Sequence, residues 1–363
     1  MMERDKVMDS SHRKKICLVS FSDNYDHQTA VYSLYSSLSP DCDVSTIGLI
    51  DPKASFPDTP NNYLFECPKR PGVTKGSFAF KTVRKIVDRL MKDRVDVVYF
   101  ESVHLWNLFV VLLLPKKITV ISTIHDVIPH DGSKAVSTLQ RALCKLSDQI
   151  VVKSRSSVDV LADQYKIPKR KVKYLPIWHS FPNYQSPGNM TNVFLFFGRL
   201  KKYKGVHFLP EIVQKCPCAH FVIAGEADEY SRPLVKELEL YDNVTVVDGV
   251  INPDTMDRLF KNCAWVILPY LSATQSGVVV DSYERSRPVI AFEVGNLSEQ
   301  VRDGETGFLV PEGDLEAFSS RINEVCGFGL ERVSWYAKNA YNFGIENYSS
   351  QSIAQHFAEV FGL

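Results

Sequence analysis

The chain has 363 residues, 45% of them hydrophobic, with 42 Lys+Arg against 42 Asp+Glu. That balance excludes a disordered, collagen-like or low-complexity chain, and the length exceeds what one hydrophobic core organises, so two domains are expected. The zero net charge hides an asymmetry: residues 1–180 hold 27 Lys+Arg against 19 Asp+Glu, and residues 181–363 hold 15 against 23. A basic half suits an anionic partner such as a membrane surface or a phosphorylated acceptor. Nucleic acid is not expected, because no recognisable binding motif accompanies the charge.

Residues 1–14 are polar and mixed in charge, without the apolar core of a secretory signal, and read as a flexible tail on a cytoplasmic protein. A strand is expected over 16–21 and a helix over 27–38. Next comes a basic amphipathic helix, where Phe78, Phe80, Val83, Ile86, Val87, Leu90 and Met91 alternate with Lys81, Arg84, Lys85, Arg89, Lys92 and Arg94. Such a helix either covers a core or rests on an anionic bilayer. Strands are expected over 95–100, 118–124 and 149–152, with a helix over 134–147 whose Val136, Leu139, Leu143 and Leu146 keep the 3.6 period. The apolar run over 105–114 stops at Pro115-Lys116-Lys117, well short of the roughly 18–20 residues of a membrane span. Eight cysteines show no Cys-x-x-Cys spacing and read mostly as buried thiols.

After Pro176 the pattern loosens into a turn-rich stretch, Pro182-Asn183-Tyr184-Gln185-Ser186-Pro187-Gly188-Asn189. The expected division is therefore an N-terminal domain over 15–182, a C-terminal domain over 183–345, and a C-terminal helix within 346–363 that crosses back to the first domain. Further strands are expected over 193–197, 220–224, 244–247, 264–268, 289–292 and 308–310. Apolar runs such as Val97-Val98-Tyr99-Phe100 suit strands covered on both faces. The class is α/β, with two doubly wound parallel sheets facing a cleft where ligands sit outside the strands' carboxyl ends.

Two segments carry chemistry. Strand 193–197 runs into Gly198-Arg199-Leu200-Lys201-Lys202-Tyr203-Lys204-Gly205 and then a helical stretch from Val206, which offers backbone N–H groups and fixed cations, Arg199 and Lys204, to a phosphate. A solvated basic loop has the same composition. Strand 264–268 leads through Pro269-Tyr270-Leu271-Ser272-Ala273-Thr274-Gln275-Ser276-Gly277 into a second helix start, a second anion cradle. Two cradles suit a diphosphate. Asp281, about one turn further on, is placed to meet a ribose diol.

Taken in order, these residues resemble a retaining glycosyltransferase of family 4, of the subgroup with a Thr-Gln-Ser-Gly donor turn, whose fold is GT-B with two Rossmann-like domains. The matching features are Phe197-Gly198-Arg199-Leu200 with Lys204-Gly205, Ala224-Gly225, Thr274-Gln275-Ser276-Gly277, Pro288-Val289-Ile290-Ala291, Gly295 with Glu299, and Asp303-Gly304 with Thr306-Gly307. The resemblance implies hexosyl transfer with retention and without a metal or other cofactor, from a UDP-sugar or GDP-sugar to a glycan or lipid-linked acceptor in polysaccharide or glycoconjugate synthesis. It makes Arg199 and Lys204 catalytic through the diphosphate, and His125, in Thr123-Ile124-His125-Asp126, catalytic through the donor sugar. Gly198, Thr274, Gln275, Ser276, Gly277 and Asp281 bind the donor, and Val250 lies near the base.

A metal site on His125, Asp126 and His130 is the weaker reading, because Pro129 disrupts helical spacing. The chain departs from the family at Ala273, where paired acidic residues would put a carboxylate, and in the loop Ser20-Phe21-Ser22-Asp23-Asn24-Tyr25-Asp26, which lacks the glycine pair. Two alternatives stay open: a nucleotide-sugar epimerase or hydrolase on a similar two-domain scaffold, and a non-catalytic sugar-nucleotide-binding partner subunit, the reading those departures suit. The expected location is cytoplasmic, with peripheral contact at the inner face of the membrane through the basic domain.

Overall fold

The computed structural model describes residues 13–22, 25–50, 61–66, 77–127, 134–188 and 191–362. Two compact units form, one from Met1–Pro176 with Ile353–Leu363, the other from Ile177–Ser352. The chain thus leaves the first unit at Pro176, ahead of the turn-rich stretch, and returns to it from Ile353 onward.

In the first unit, seven strands lie parallel in the order β3-β2-β1-β4-β5-β6-β7. They are β1 (Lys15–Val19), β2 (Asp43–Leu49), β3 (Asn62–Phe65), β4 (Val97–Phe100), β5 (Thr119–Ile124), β6 (Gln149–Val152) and β7 (Val172–Tyr174). Helices α1 (Tyr25–Leu38), α2 (Phe80–Asp93), α3 (Leu105–Leu113), α4 (Lys134–Leu146) and α5 (Ser156–Tyr165) connect them. All four residues of β4 are buried, as its unbroken apolar run requires of a central parallel strand. On α2, Val83, Ile86, Val87 and Leu90 are buried, so the middle of the apolar stripe belongs to the core, while Phe80 and Met91 at its ends are exposed along with the basic face. The expected face of α4 is wrong in detail. Val136 and Leu146 are exposed, while Gln140 is buried, because its amide donates to the Asp126 carbonyl and its oxygen accepts from Tyr165.

In the second unit, six parallel strands follow the order β10-β9-β8-β11-β12-β13. These are β8 (Val193–Phe197), β9 (His220–Gly225), β10 (Val244–Asp248), β11 (Trp265–Leu268), β12 (Val289–Phe292) and β13 (Gly307–Val310). Around them run α6 (Leu209–Lys215), α7 (Arg232–Leu238), α8 (Pro253–Lys261), α9 (Gly277–Glu284), α10 (Leu297–Gln300), α11 (Leu315–Cys326) and α12 (Leu330–Tyr348); α13 (Ser350–Phe361) follows, and from Ile353 onward it belongs to the first unit. Strand order reverses between β1 and β4 in one sheet and between β8 and β11 in the other, and such switch points open crevices at the strands' carboxyl ends. Among the described residues, no helix is long and apolar enough to cross a membrane.

Candidate active site

In the second unit the two predicted anion loops leave β8 and β11 on either side of the switch point, and they are tied together. The Leu271 N–H donates to the Tyr203 carbonyl at 2.8 Å. A β-carbon on Gly205, whose φ is 76°, would stand 1.8 Å from the Pro269 carbonyl oxygen, so only glycine allows this approach. Gly205 ends a 3-10 turn over Lys202–Lys204, and a second such turn over Val206–Phe208 precedes α6. The α-helix expected from Val206 therefore starts at Leu209, because the left-handed glycine resets the chain direction first.

Lys204 is 8% exposed, with its ammonium 5.2 Å from the centre of the Tyr270 ring and against Gly198. Arg199, next along, is exposed. In the loop after β11, the Gln275 side-chain oxygen and the hydroxyls of Tyr270 and Ser276 are buried without a hydrogen-bond partner among the described residues. The Ser276 hydroxyl lies close enough to Tyr270 to pull against the burial that raises its phenol, but not in hydrogen-bond geometry. Such orphaned polar atoms are costly unless a ligand completes them.

Not every predicted donor is available. The Ser276 N–H is taken by Gln300 Oε1 at 2.8 Å, and the Gln300 amide donates to the Ser276 carbonyl at 3.1 Å. The first-turn amides of α9, from Gly277, lack an intrahelical acceptor as in any helix. Thr274 and Val250 are exposed. Asp281 is committed to an ion cluster the sequence did not reveal: its Oδ1 lies 3.5 Å from His179 Nδ1 and 3.8 Å from Arg285, while Glu284 accepts from both at 2.9 and 3.1 Å. His179, Asp281 and Glu284 are, among the described residues, the group whose ligand atoms lie within 4.8 Å of one another and so could hold a metal, although both carboxylates also pair with the Arg285 guanidinium.

In the first unit, His125 follows β5. Its Nε2 lies 2.7 Å from the Glu101 carbonyl and 3.0 Å from the Glu101 carboxylate, and its ring stacks on His27 at 4.2 Å. Glu101 follows β4 and is fully buried with Lys153, which follows β6. The ammonium, His125 and the Tyr99 hydroxyl hold the Glu101 carboxyl down at about 2 against the desolvation that would raise it. Burial lowers Lys153 to about 8 despite its partner. Sequence reasoning missed Glu101, Lys153 and His27, since each is a lone polar residue at a strand or helix end. His130, named with His125 and Asp126 for a metal, lies outside the described residues.

Both units match known families. Residues 28–177 match Glycosyltransferase Family 4, and residues 191–327 match Glycosyl transferases group 1. An uncharacterized glycosyltransferase of Methanocaldococcus jannaschii is 25% identical over 255 residues, which span 64% of this chain and 64% of that relative. The O-antigen chain mannosyltransferase C of Escherichia coli is 22% identical over 305 residues, 80% of this chain and 78% of that one. Anabaena Alr3699/HepE, solved with UDP and glucose, superposes with a TM-score of 0.72 at 18% identity over 97% of this chain and 100% of that chain. With each unit matched to a glycosyltransferase family and the fold shared along the length, the chain belongs to the GT-B glycosyltransferases.

Proposed function

We propose that this protein transfers a hexosyl group with retention, and without a metal, from a UDP-sugar or GDP-sugar to a glycan or lipid-linked acceptor. The observation that carries the donor site is the buried Lys204, set between Gly198 and the ring of Tyr270, on a loop tied to the one that holds the orphaned Gln275, Tyr270 and Ser276 oxygens. A diphosphate supplies the anion that Lys204 and Arg199 would hold, and phosphate oxygens and hydroxyls suit the unpartnered groups. That relatives include a mannosyltransferase, and that HepE was solved with UDP and glucose, supports the same reading.

Breaking the sugar–phosphate bond puts negative charge on the leaving diphosphate and positive charge on the sugar. Lys204 and Arg199 stabilise the first, and loss of one such donor typically costs about 10²–10³-fold in rate. Among the described residues none is placed as a covalent nucleophile, so the retaining course proposed is attack from the leaving-group face, with a diphosphate oxygen taking the acceptor's proton. His125 contacts the donor sugar, and the Asp281 cluster lies toward the ribose.

The acceptor side is proposed to work at the inner face of a membrane. Phe78, Phe80, Leu112 and Leu113 are exposed, and the Phe78, Phe80 and Phe109 rings cluster at 5.2 to 6.2 Å. Exposed Lys81, Arg84, Lys85, Lys116 and Lys117 accompany them on α2 and after α3. Apolar side chains ringed by cations suit an anionic bilayer.

Thermal shift with UDP, GDP, ADP and their hexose conjugates in EDTA tests the donor site. A ligand at about 100 times its Kd stabilises by about 2.7 kcal/mol, and one base is expected to do so. No shift with any nucleotide, with or without Mg²⁺, would overturn the reading. Product anomers, followed by NMR, test retention. His125→Ala is expected to lower kcat far more than nucleotide affinity.

A further inference from the structure

Glu101 is 1% exposed, yet its carboxylate gathers hydrogens from three strand ends. Oε1 lies 3.2 Å from the Lys153 ammonium and 3.0 Å from His125 Nε2, and Oε2 accepts from the Tyr99 hydroxyl and stands 3.4 Å from the same ammonium. The Glu101 carbonyl is a second acceptor for His125 Nε2, at 2.7 Å. Two acceptors on one ring nitrogen fix its hydrogen there. Nδ1 is then the nitrogen left for a ligand, and it keeps a lone pair while the ring is neutral. A carboxylate alone beside an imidazole favours the charged ring, whereas an adjacent ammonium cancels that pull. Burying two ions is expensive, and apolar residues would hold these strand ends together equally well. What apolar residues cannot do is set the charge and tautomer of the neighbouring ring.

We propose that Glu101 and Lys153 are positioning residues that keep His125 a neutral imidazole with its hydrogen on Nε2, so that Nδ1 accepts a hydrogen bond from a hydroxyl of the donor sugar. This rests on the reading that His125 meets that sugar. The advantage is electrostatic: the sugar gathers positive charge in the transition state, which an imidazolium would oppose and a neutral acceptor does not. The other groups facing His125 are His27 from α1, kept neutral by burial, and Tyr99 on β4, kept protonated by burial and Glu101.

¹⁵N NMR of the histidines in the unliganded full chain at pH 7 reads tautomer and charge directly. For the wild type, a neutral His125 with its hydrogen on Nε2 is expected. In Lys153→Met the ring is expected to become imidazolium at pH 7, with transfer slowed by about 10²-fold and donor KM moving much less. Glu101→Gln with Lys153→Met removes both charges and keeps the shape; it should return the ring to neutral and restore most of the rate. That double variant also decides the matter should Lys153→Met fail to fold. A wild-type hydrogen on Nδ1, a neutral ring in Lys153→Met, or a charged ring in the double variant would overturn the proposal. Because the spectra need no donor, their outcome is separate from that of nucleotide binding, which tests the donor site alone.

Discussion

The Lys204 ammonium fills the space that a β-carbon on Gly198 would need, 2.5 Å from where that carbon would sit. Gly198 also has φ 104°, a conformation that L side chains rarely adopt. The obstructing atom is the tip of a flexible side chain, so Gly198→Ala is expected to push Lys204 aside rather than unfold the sheet. Nucleotide affinity should fall by about tenfold or more, the loss of about 1.4 kcal/mol of charge-assisted binding, with a Tm drop of only a few degrees. Gly225→Ala is the contrast, since its β-carbon would meet the Gly198 carbonyl oxygen at 2.0 Å, backbone against backbone. It should lower Tm much more. Calorimetry of both variants with and without nucleotide checks this; equal effects on Tm would count against it.

Arg287 is fully buried and donates to the carbonyls of Phe260, Lys261, Gln185 and Ser286. Phe260 and Lys261 end α8, so the guanidinium also sits on the negative end of a helix. Arg287→Lys keeps the charge but loses the planar fork, and is expected to cost about 2–3 kcal/mol. An unchanged urea midpoint would refute this role.

Acid should destabilise the first unit before its carboxylates titrate. His104 is buried, and its Nδ1 accepts the Trp106 N–H at 2.9 Å, capping α3; burial holds it down at about 3, and His27 is held at about 3 as well. In the unfolded chain both bind protons near about 6.5. Between about 6.5 and 3 the unfolded state therefore holds more protons, and the stability present above 6.5 is lost as pH falls through that window. His104→Asn, which can still cap, should flatten the slope of stability against pH by up to about 1.4 kcal/mol per pH unit. Urea titrations from pH 7.5 to 5 measure the slope, and identical slopes would be the contrary result.

Phe80 and Leu112 are each 61% exposed, so serines there should leave the fold intact. The wild type is expected to float with phosphatidylglycerol vesicles and not with phosphatidylcholine ones, and Phe80→Ser/Leu112→Ser to bind the former about tenfold less or weaker still. Flotation independent of lipid charge, or unaffected by the serines, would contradict membrane contact at this face.

The central strands were legible in the sequence because runs such as those of β4, β11 and β12, all buried throughout, leave few other structures open to them. Strand β2 was not, since its polar Thr46 is buried by a bond to Asn62 on β3, a satisfaction no local pattern displays. Helix α3 read only as an apolar run, apolar on too many sides to show a period. The close packing of the loops after β8 and β11 was foreshadowed because Gly198, Lys204 and Gly205 are close neighbours in the chain. Glu101 lies 24 residues before His125 and 52 before Lys153, and only the register of β4, β5 and β6 brings them together.

The Tyr99 ring meets Phe357 edge-on at 5.1 Å, and Tyr99 carries the hydroxyl bonded to Glu101. Residues 353–363 belong to the first unit but are synthesised after the whole of the second. A nascent chain therefore emerges from the ribosome with the Tyr99 ring lacking its Phe357 neighbour until the second unit has followed it out. Newly made protein should therefore complete the packing around Tyr99 last, so that the first unit, though begun first, is finished only after the second.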